Sequence, residues 1–144
     1  MSLTPLDEIP RGEYAYPGPL RDALVASIVC GDKTSTTCLL AEYAPGVNPV
    51  DEVGSLEAVV DSCGEIACVT QVVDVQVVRL GDVTLEHAIA EGEGHTDVAA
   101  WRASHKEFWR SPEYVADMGE LPLDDDTLVV CFRFAIDPRY PVRM

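Results

Sequence analysis

The segment Ile66–Leu80 constrains the possible folds of this sequence most strongly. It is rich in valine, and β-branched residues favour strands. It also contains fifteen residues, whereas strands in globular proteins are usually about 3–10 residues long. The segment therefore predicts a long strand that bends or carries a bulge.

Shorter segments predict the remaining secondary structure. Apolar and β-branched runs predict strands at residues 34–43, 56–61 and 127–136. Apolar residues at helical spacing predict helices at residues 20–30, 85–91 and 98–109, and turn-forming residues predict a loop over 111–126. Strands outnumber helices and lie early, in the middle and late in the chain. This distribution predicts an α+β fold, in which helices cover the openings of a mixed β-barrel.

Composition bounds the class of protein. A chain of 144 residues, with 47% hydrophobic residues and a mean hydropathy of +0.06, predicts one globular domain. No apolar run approaches the roughly 20 residues that span a bilayer, and the acidic Asp7 and Glu8 do not fit a secretory leader. Five cysteines without C-x-x-C spacing indicate neither a disulfide framework nor a zinc site. We therefore expect a cytoplasmic protein with reduced thiols and no membrane partner.

Net charge restricts the possible partners. The sequence has 25 acidic residues against 10 lysines and arginines, which gives a formal net charge of −15. Proteins that bind long nucleic acids neutralise several phosphates with lysine and arginine. Only a small basic patch is available, from Lys33, Arg79, Arg102, Lys106 and Arg110. We expect a nucleoside or a short single-stranded segment to be an acceptable ligand and a long duplex to be repelled.

A polar corner joins the first predicted helix to the first predicted strand. The helix-ending Gly31 is followed by Lys33 and by the hydroxyl side chains of residues 34–37. One cation beside several hydroxyl groups can hold a polar ligand or a developing oxyanion. The alternative is a solvated turn whose threonines start a strand. The spacing does not match a phosphate-binding P-loop.

The predicted helix at residues 98–109 carries aromatic residues on one face. Four of its residues share one apolar stripe: Val98, Trp101, His105 and Phe108. This spacing favours packing against a core, with His105 as a hydrogen-bonded histidine. Trp101 beside Arg102 is also suited to contact a nucleobase at the border of a cleft.

Two carboxylates lie in a glycine-punctuated segment before that helix. Glu91 and Glu93 alternate with Gly92 and Gly94, and glycine permits tight turns and leaves space near Glu93. A carboxylate there can act as a general base or can recognise an amino group such as cytosine N4. The alternative is an ordinary surface turn between helices.

Five separated blocks resemble the ASCH domain family and follow its order. The blocks are Gly31-x-Lys33-Thr34-x-Thr36, Leu39–Tyr43 with Val53-Gly54, Ala90–Gly94, Trp101-Arg102-x-x-His105 with Phe108, and Val129–Phe134. The resemblance covers residues 18–137 and leaves 1–17 as an extension and 138–144 as a tail. It implies a fold similar to the PUA domain and an association with RNA binding. A shorter branch of the family includes amidohydrolases that act on N4-acetylcytidine, and ribonuclease activity is also associated with the family.

The resemblance also implies roles for individual residues. The catalytic lysine, threonine and glutamate of the amidohydrolase branch match Lys33, Thr36 and Glu93. Six neighbours are assigned to substrate contacts: Thr34, Thr37, Glu91, Trp101, Arg102 and His105. This chain resembles the longer members of the family, and Ser55 stands where they usually have aspartate. The resemblance therefore implies the fold of this chain more directly than the reaction of the amidohydrolase branch.

Three functions remain open at this point. The first is hydrolysis of an acylated cytidine or a similar modified nucleoside, in which Lys33 activates Thr36 or water and Glu93 carries the proton. The second is binding of single-stranded RNA without chemistry, and the third is contact between the acidic surface and a basic protein. Net charge favours the first over the second. We expect no cofactor, because three scattered histidines form no metal-ligand motif, but a divalent metal and the oligomeric state are left open.

Overall fold

A computed structural model of the protein describes residues 3–143, and five strands in it form one mixed sheet. The strands are β1 (Arg11–Gly12), β2 (Ser35–Leu39), β3 (Leu56–Val60), β4 (Ile66–Arg79) and β5 (Leu128–Ile136). Their spatial order is β1-β3-β4-β5-β2. The pairing of β1 with β3 is parallel, and the other three pairings are antiparallel. The α+β class is confirmed.

The long strand β4 holds the sheet together. Its first half pairs with β3 and its second half pairs with β5. The register against β5 shifts between Val72 and Asp74, so Val73 lies at an irregularity of the bulge type. The predicted interruption within this long strand is thereby confirmed. A bulge increases the local twist and bend of a strand, which allows the two halves to face different directions.

The expected closure into a barrel is corrected by the structure. Within residues 3–143, no ladder joins the edge strands β1 and β2, so the sheet remains open. The edges are short, because β1 has two residues and β2 ends at Leu39 instead of reaching residue 43. A 3₁₀ turn, Leu40–Glu42, replaces the rest of the predicted strand. Few backbone groups are therefore left at the two edges to pair with each other.

Four helices accompany the sheet. They are α1 (Pro19–Cys30), α2 (Leu85–Ala90), α3 (Val98–Trp109) and α4 (Pro112–Met118). Helix α4 lies in the segment predicted to be a loop. The Ser111 hydroxyl accepts a hydrogen bond from the Tyr114 amide, Pro112 occupies the first turn, and Gly119 follows the last residue. Seven residues are too few for apolar periodicity to reveal a helix, whereas these cap signals were present in the sequence.

Two apolar clusters pack helices against the sheet. Trp101 and Trp109 of α3 are buried together with Leu39, Leu80 and Val129. In the second cluster, Val25 and Ile28 of α1 pack on the sheet. The sheet contributes Val59 of β3, Cys68 of β4 and Phe134 of β5. On the predicted α3 stripe only Trp101 is fully buried, while Trp109 from the neighbouring stripe is buried as well.

Segments outside residues 18–137 also contact the domain. Strand β1 extends the sheet, and the buried side chains of Ile9 and Tyr140 share a cluster with Ala58 and Val69. Among the residues described, none of the helices is long and apolar enough to cross a membrane.

Candidate functional site

A cavity of about 770 Å³ lies against the sheet. Side chains from β2, β3, β4 and β5 line it, together with residues of α1, α3, α4 and the segment after α2. Aromatic rings contribute much of its apolar wall: Tyr14, Tyr43, Phe108, Tyr114, Phe132 and Phe134. Its size is that of an ordinary small-molecule site.

Six of the predicted site residues line this cavity: Lys33, Thr36, Thr37, Glu91, Glu93 and His105. The predicted catalytic set therefore shares one space. Thr34 does not line the cavity, because its backbone N–H and its hydroxyl both donate to the Ala90 carbonyl at the end of α2. Its observed contacts join two segments of the chain.

The expected position of Trp101 and Arg102 at the rim of the cavity is corrected by the structure. Neither residue is part of the lining. The Trp101 side chain is fully buried in the core, because α3 turns this face towards the sheet. Arg102 is half-buried, and its Nε has no hydrogen-bond partner among the described residues. The indole instead donates its N–H to a carboxylate at the cavity floor, Glu91.

Backbone contacts bring the Lys33 corner next to the segment after α2. Gly31 ends α1 with a φ of 90°, and the Lys33 amide then donates to the Ser27 carbonyl over 3.0 Å. The Thr34 amide donates to the Ala90 carbonyl over 2.8 Å. Gly92 has a φ of +73°, and a Cβ there would lie 2.6 Å from the Asp32 carbonyl oxygen. Only glycine permits this approach without displacement of one backbone.

Lys33 and Glu91 form a buried ion pair. Their side chains are 2% and 1% exposed, and Lys33 Nζ lies 3.8 Å from Glu91 Oε1. Nζ also donates to the Ser35 carbonyl over 2.8 Å and to the Glu91 carbonyl over 3.4 Å. Burial lowers the pKa of Lys33, against the opposing effect of the Glu91 and Glu93 charges.

Polar side chains from three different elements surround the Glu91 carboxylate. Its Oε2 lies 2.8 Å from Thr37 Oγ1, 2.8 Å from Trp101 Nε1 and 3.0 Å from His87 Nε2. Its Oε1 lies 3.0 Å from His105 Nε2. Burial alone would raise the pKa of Glu91, but the hydrogen bonds from His105 and His87 and the nearby positive charges hold it far below its usual range. Glu91 is thus held in its ionised form at neutral pH.

Glu93 has a different environment from Glu91. Its side chain is partly exposed and lines the same cavity. Partial burial raises its pKa, with the positive charge of Lys33 opposing and the negative charge of Glu91 adding to the rise. Two carboxylates whose pKa values are pushed apart can take different roles, one fixed as an anion and one exchanging a proton.

The potential ligand atoms of Glu91, Glu93 and His105 lie within 4.8 Å of one another. Both ring nitrogens of His105 already lie within hydrogen-bond distance of an oxygen atom. Glu91 is already engaged by three hydrogen-bond partners, by the nearby His87 ring and by the Lys33 ammonium. This donor set suits proton chemistry better than metal coordination. The expectation of no cofactor, with a divalent metal left open, stays a prediction.

His87 is the site residue that the sequence analysis missed. Its Nε2 lies 2.6 Å from Thr37 Oγ1 and 3.0 Å from Glu91 Oε2. The signal was present in its spacing, because residues i and i+4 of a helical segment lie on one face. Trp101 and His105 repeat that spacing on α3, so each helix contributes a pair of residues to one buried network.

Two solved structures are similar to this one. An ASCH domain from Lactobacillus crispatus has 21% identity and a TM-score of 0.75, with 89% of this chain and 79% of that chain covered. A protein from Enterococcus faecalis, of the family designated DUF984, has 21% identity and a TM-score of 0.69, with 89% and 80% covered. These similarities establish the fold.

The sequence itself also identifies a family. No curated protein matches it significantly. A family model described as the ASCH domain matches residues 13–136, which is most of the chain and includes every residue of the buried network. The resemblance seen in the five sequence blocks is confirmed, and the chain belongs to the ASCH domain family, a family generally associated with RNA binding.

Proposed function

We propose that the cavity binds a nucleoside with a cytosine-like base and hydrolyses the amide of an N4-acylated form. The observation that carries the proposal is the pairing of two carboxylates at one cavity. Glu91 is held as an anion in an ion pair with Lys33, while Glu93 has a raised pKa and is free to exchange a proton. An amide hydrolase needs a group that exchanges a proton, next to a group whose charge is fixed.

The charge of the cavity supports a nucleoside in preference to a nucleotide. Eight carboxyl side chains line it: Glu13, Glu42, Glu52, Glu57, Glu91, Glu93, Glu107 and Asp117. The only lysine and arginine in the lining are Lys33 and Arg21. A ligand without phosphate avoids repulsion from these carboxylates, and the aromatic wall provides flat apolar contact for a base.

The proposed reaction moves one proton through Glu93. Ionised Glu93 accepts a proton from water as the water oxygen bonds to the acyl carbon. It then gives that proton to N4 of cytosine as the carbon–nitrogen bond breaks, which yields a cytidine and a carboxylic acid. The Lys33 charge and the Thr36 hydroxyl stabilise the intermediate oxyanion. Lys33 is assigned this electrostatic role instead of proton abstraction, because its Nζ is surrounded by three oxygen atoms.

The direct test is hydrolysis of N4-acetylcytidine, followed by chromatographic measurement of cytidine. Glu93→Gln removes the proton-exchanging group but keeps its size, so we expect kcat to fall by at least about 100-fold. Glu107→Gln is the matched control, because Glu107 is another exposed glutamate in the lining and it should retain activity. Equal activity of wild type and Glu93→Gln would refute the mechanism. Absence of cytidine formation by the wild type would refute the reaction.

Binding to nucleic acid gives a separate prediction. At about 150 mM salt, we expect no stable complex between micromolar protein and a long RNA or DNA duplex, because the net charge of −15 opposes the phosphates. Gel-shift titrations at several salt concentrations measure this. Tight binding that resists salt would contradict the prediction, whereas binding of a short single strand alone would favour recognition of an exposed base.

A further inference from the structure

We propose that His105 is a positioning residue for the reaction, a constitutive imidazolium that bridges the Trp101 carbonyl and the Glu91 carboxylate. This inference rests on the proposed function, because it explains why only one of the two carboxylates at the cavity exchanges a proton. His105 is not a catalytic residue in this scheme. It acts on the ligand through Glu91 and Glu93.

The two ring nitrogens of His105 each face an oxygen that can only accept. Nδ1 lies 3.0 Å from the Trp101 carbonyl oxygen, and Nε2 lies 3.0 Å from Glu91 Oε1. A neutral imidazole has one N–H, so one of these contacts would then place a lone pair against an oxygen lone pair. Both contacts are satisfied when the ring carries two protons. The geometry therefore favours the charged form.

The surroundings of the His105 ring support this charge. The ring stacks on the Trp101 indole, with centroids 4.2 Å apart and an interplanar angle of 30°. The Trp109 indole meets it edge-on, with centroids 5.5 Å apart. A cation over an aromatic face is stabilised by the ring quadrupole. The imidazolium is thus stabilised by the face of the Trp101 indole and by one carboxylate.

The charged groups around His105 come from three segments. Glu91 and Glu93 face it from the segment after α2. His87 of α2 and Lys33 of the corner before β2 share its Glu91 partner. Burial would lower the pKa of His105, but the hydrogen bond and charge of Glu91 outweigh it and raise this pKa. His87 lies near Glu91 through Nε2 alone, and the same nitrogen lies 2.6 Å from Thr37 Oγ1.

A fixed imidazolium has a specific consequence for the two carboxylates. It holds Glu91 Oε1 in place and keeps Glu91 ionised, so Glu91 does not compete for the proton. Its charge also lowers the pKa of Glu93, against the effect of burial. Glu93 is then kept ionised often enough to accept a proton from water. Loss of the imidazolium is expected to leave Glu93 protonated over a wider pH range.

Nitrogen-15 NMR of the full chain tests the charge without any substrate. The chain has three histidines. The NMR signals of each ring are assigned by substituting the histidines with glutamine one at a time. We expect both His105 ring nitrogens to be protonated at pH 7.5, and we expect its titration midpoint to fall by at least about one pH unit in Glu91→Gln. A wild-type His105 with one unprotonated nitrogen at pH 7.5 would overturn the proposal.

Carbon-13 NMR of the Glu93 carboxyl tests the positioning role. His105→Gln retains an N–H donor for Glu91 but removes the charge, so we expect the Glu93 midpoint to rise by about half a pH unit or more. His87→Gln is the matched control and should shift the Glu93 midpoint less than His105→Gln does. An unchanged Glu93 midpoint in His105→Gln would refute the role. If N4-acetylcytidine is not hydrolysed while both titrations behave as expected, the proposed function fails but the charge and the positioning role of His105 stand. If N4-acetylcytidine is hydrolysed while the titrations do not behave as expected, only the proposal for His105 is rejected.

Discussion

Replacement of Glu91 by alanine is expected to lower the free energy of unfolding by about 3–5 kcal/mol. The reason is that the variant leaves the Lys33 ammonium and the His105 imidazolium in the interior without their common counterion. It also removes the acceptor of the Trp101 and Thr37 hydrogen bonds. Unfolding in urea, followed by tryptophan fluorescence and circular dichroism, measures the change.

Glu107→Ala is the control for this experiment. Glu107 is an exposed glutamate that lines the same cavity, and surface substitutions usually change stability by less than about 0.5 kcal/mol. A loss in Glu91→Ala no larger than that of Glu107→Ala would show that the buried network does not stabilise the fold.

The stabilisation by Glu91 should depend on pH with a defined sign. Its pKa in the folded protein lies below the ordinary value of 4.5, so its contribution is complete above pH 4.5. It is lost as the pH falls through the lowered folded value. The difference in unfolding free energy between wild type and Glu91→Gln should therefore narrow between pH 7 and pH 3. A difference that widens in acid would contradict an ionised Glu91.

Gly92→Ala is expected to destabilise the protein by about 2–5 kcal/mol. A left-handed backbone costs an L-residue roughly 1–2 kcal/mol, and the φ of Gly92 is +73°. The new Cβ would also lie 2.6 Å from the Asp32 carbonyl oxygen and 2.9 Å from the Lys33 Cα. Relief of this overlap requires the Lys33 corner to separate from the Glu91 and Glu93 segment, which adds about 1–3 kcal/mol. Urea unfolding measures the total.

Gly94→Ala separates the two contributions. Gly94 has a similar φ of +85°, but nothing lies within 4 Å of its Cβ position. This variant should lose only the conformational part, roughly 1–2 kcal/mol. Equal losses in the two variants would mean that the close approach at Gly92 is relieved without cost. Hydrolysis of N4-acetylcytidine should fall in Gly92→Ala and persist in Gly94→Ala.

The elements that the sequence predicted well depend on local patterns. Helix α3 occupies residues 98–109 as expected, because apolar spacing and the Asp97 cap act within a few residues. Strand β4 carries the expected irregularity, since a run of its length exceeds an ordinary strand. Helix α4 was missed, although its Ser111, Pro112 and Gly119 signals lie in the sequence, because it is too short to show a period.

The residue types of the site were determined by the sequence alone. The Lys33 corner and the glycine-flanked carboxylates stood out from their composition and order, and the family blocks joined them. Which carboxylate binds the lysine was decided only by tertiary structure. Lys33 and Glu91 lie 58 positions apart. Their contact depends on the hydrogen bond from the Thr34 amide to the Ala90 carbonyl at the end of α2, and on the absence of a Cβ at Gly92.

The roles of Glu91, Glu93 and Trp101 show the same division. Two glutamates separated by one glycine are equivalent in sequence. In the folded chain, three hydrogen bonds and nearby positive charges fix buried Glu91 as an anion, whereas Glu93 lies at the cavity surface. The sequence allowed Trp101 to stack on a nucleobase, but in the structure α3 packs its indole into the core. Local sequence determined which chemical groups are available, whereas burial and hydrogen bonding between distant segments decided their charge states, because both depend on neighbours that only the folded chain brings together.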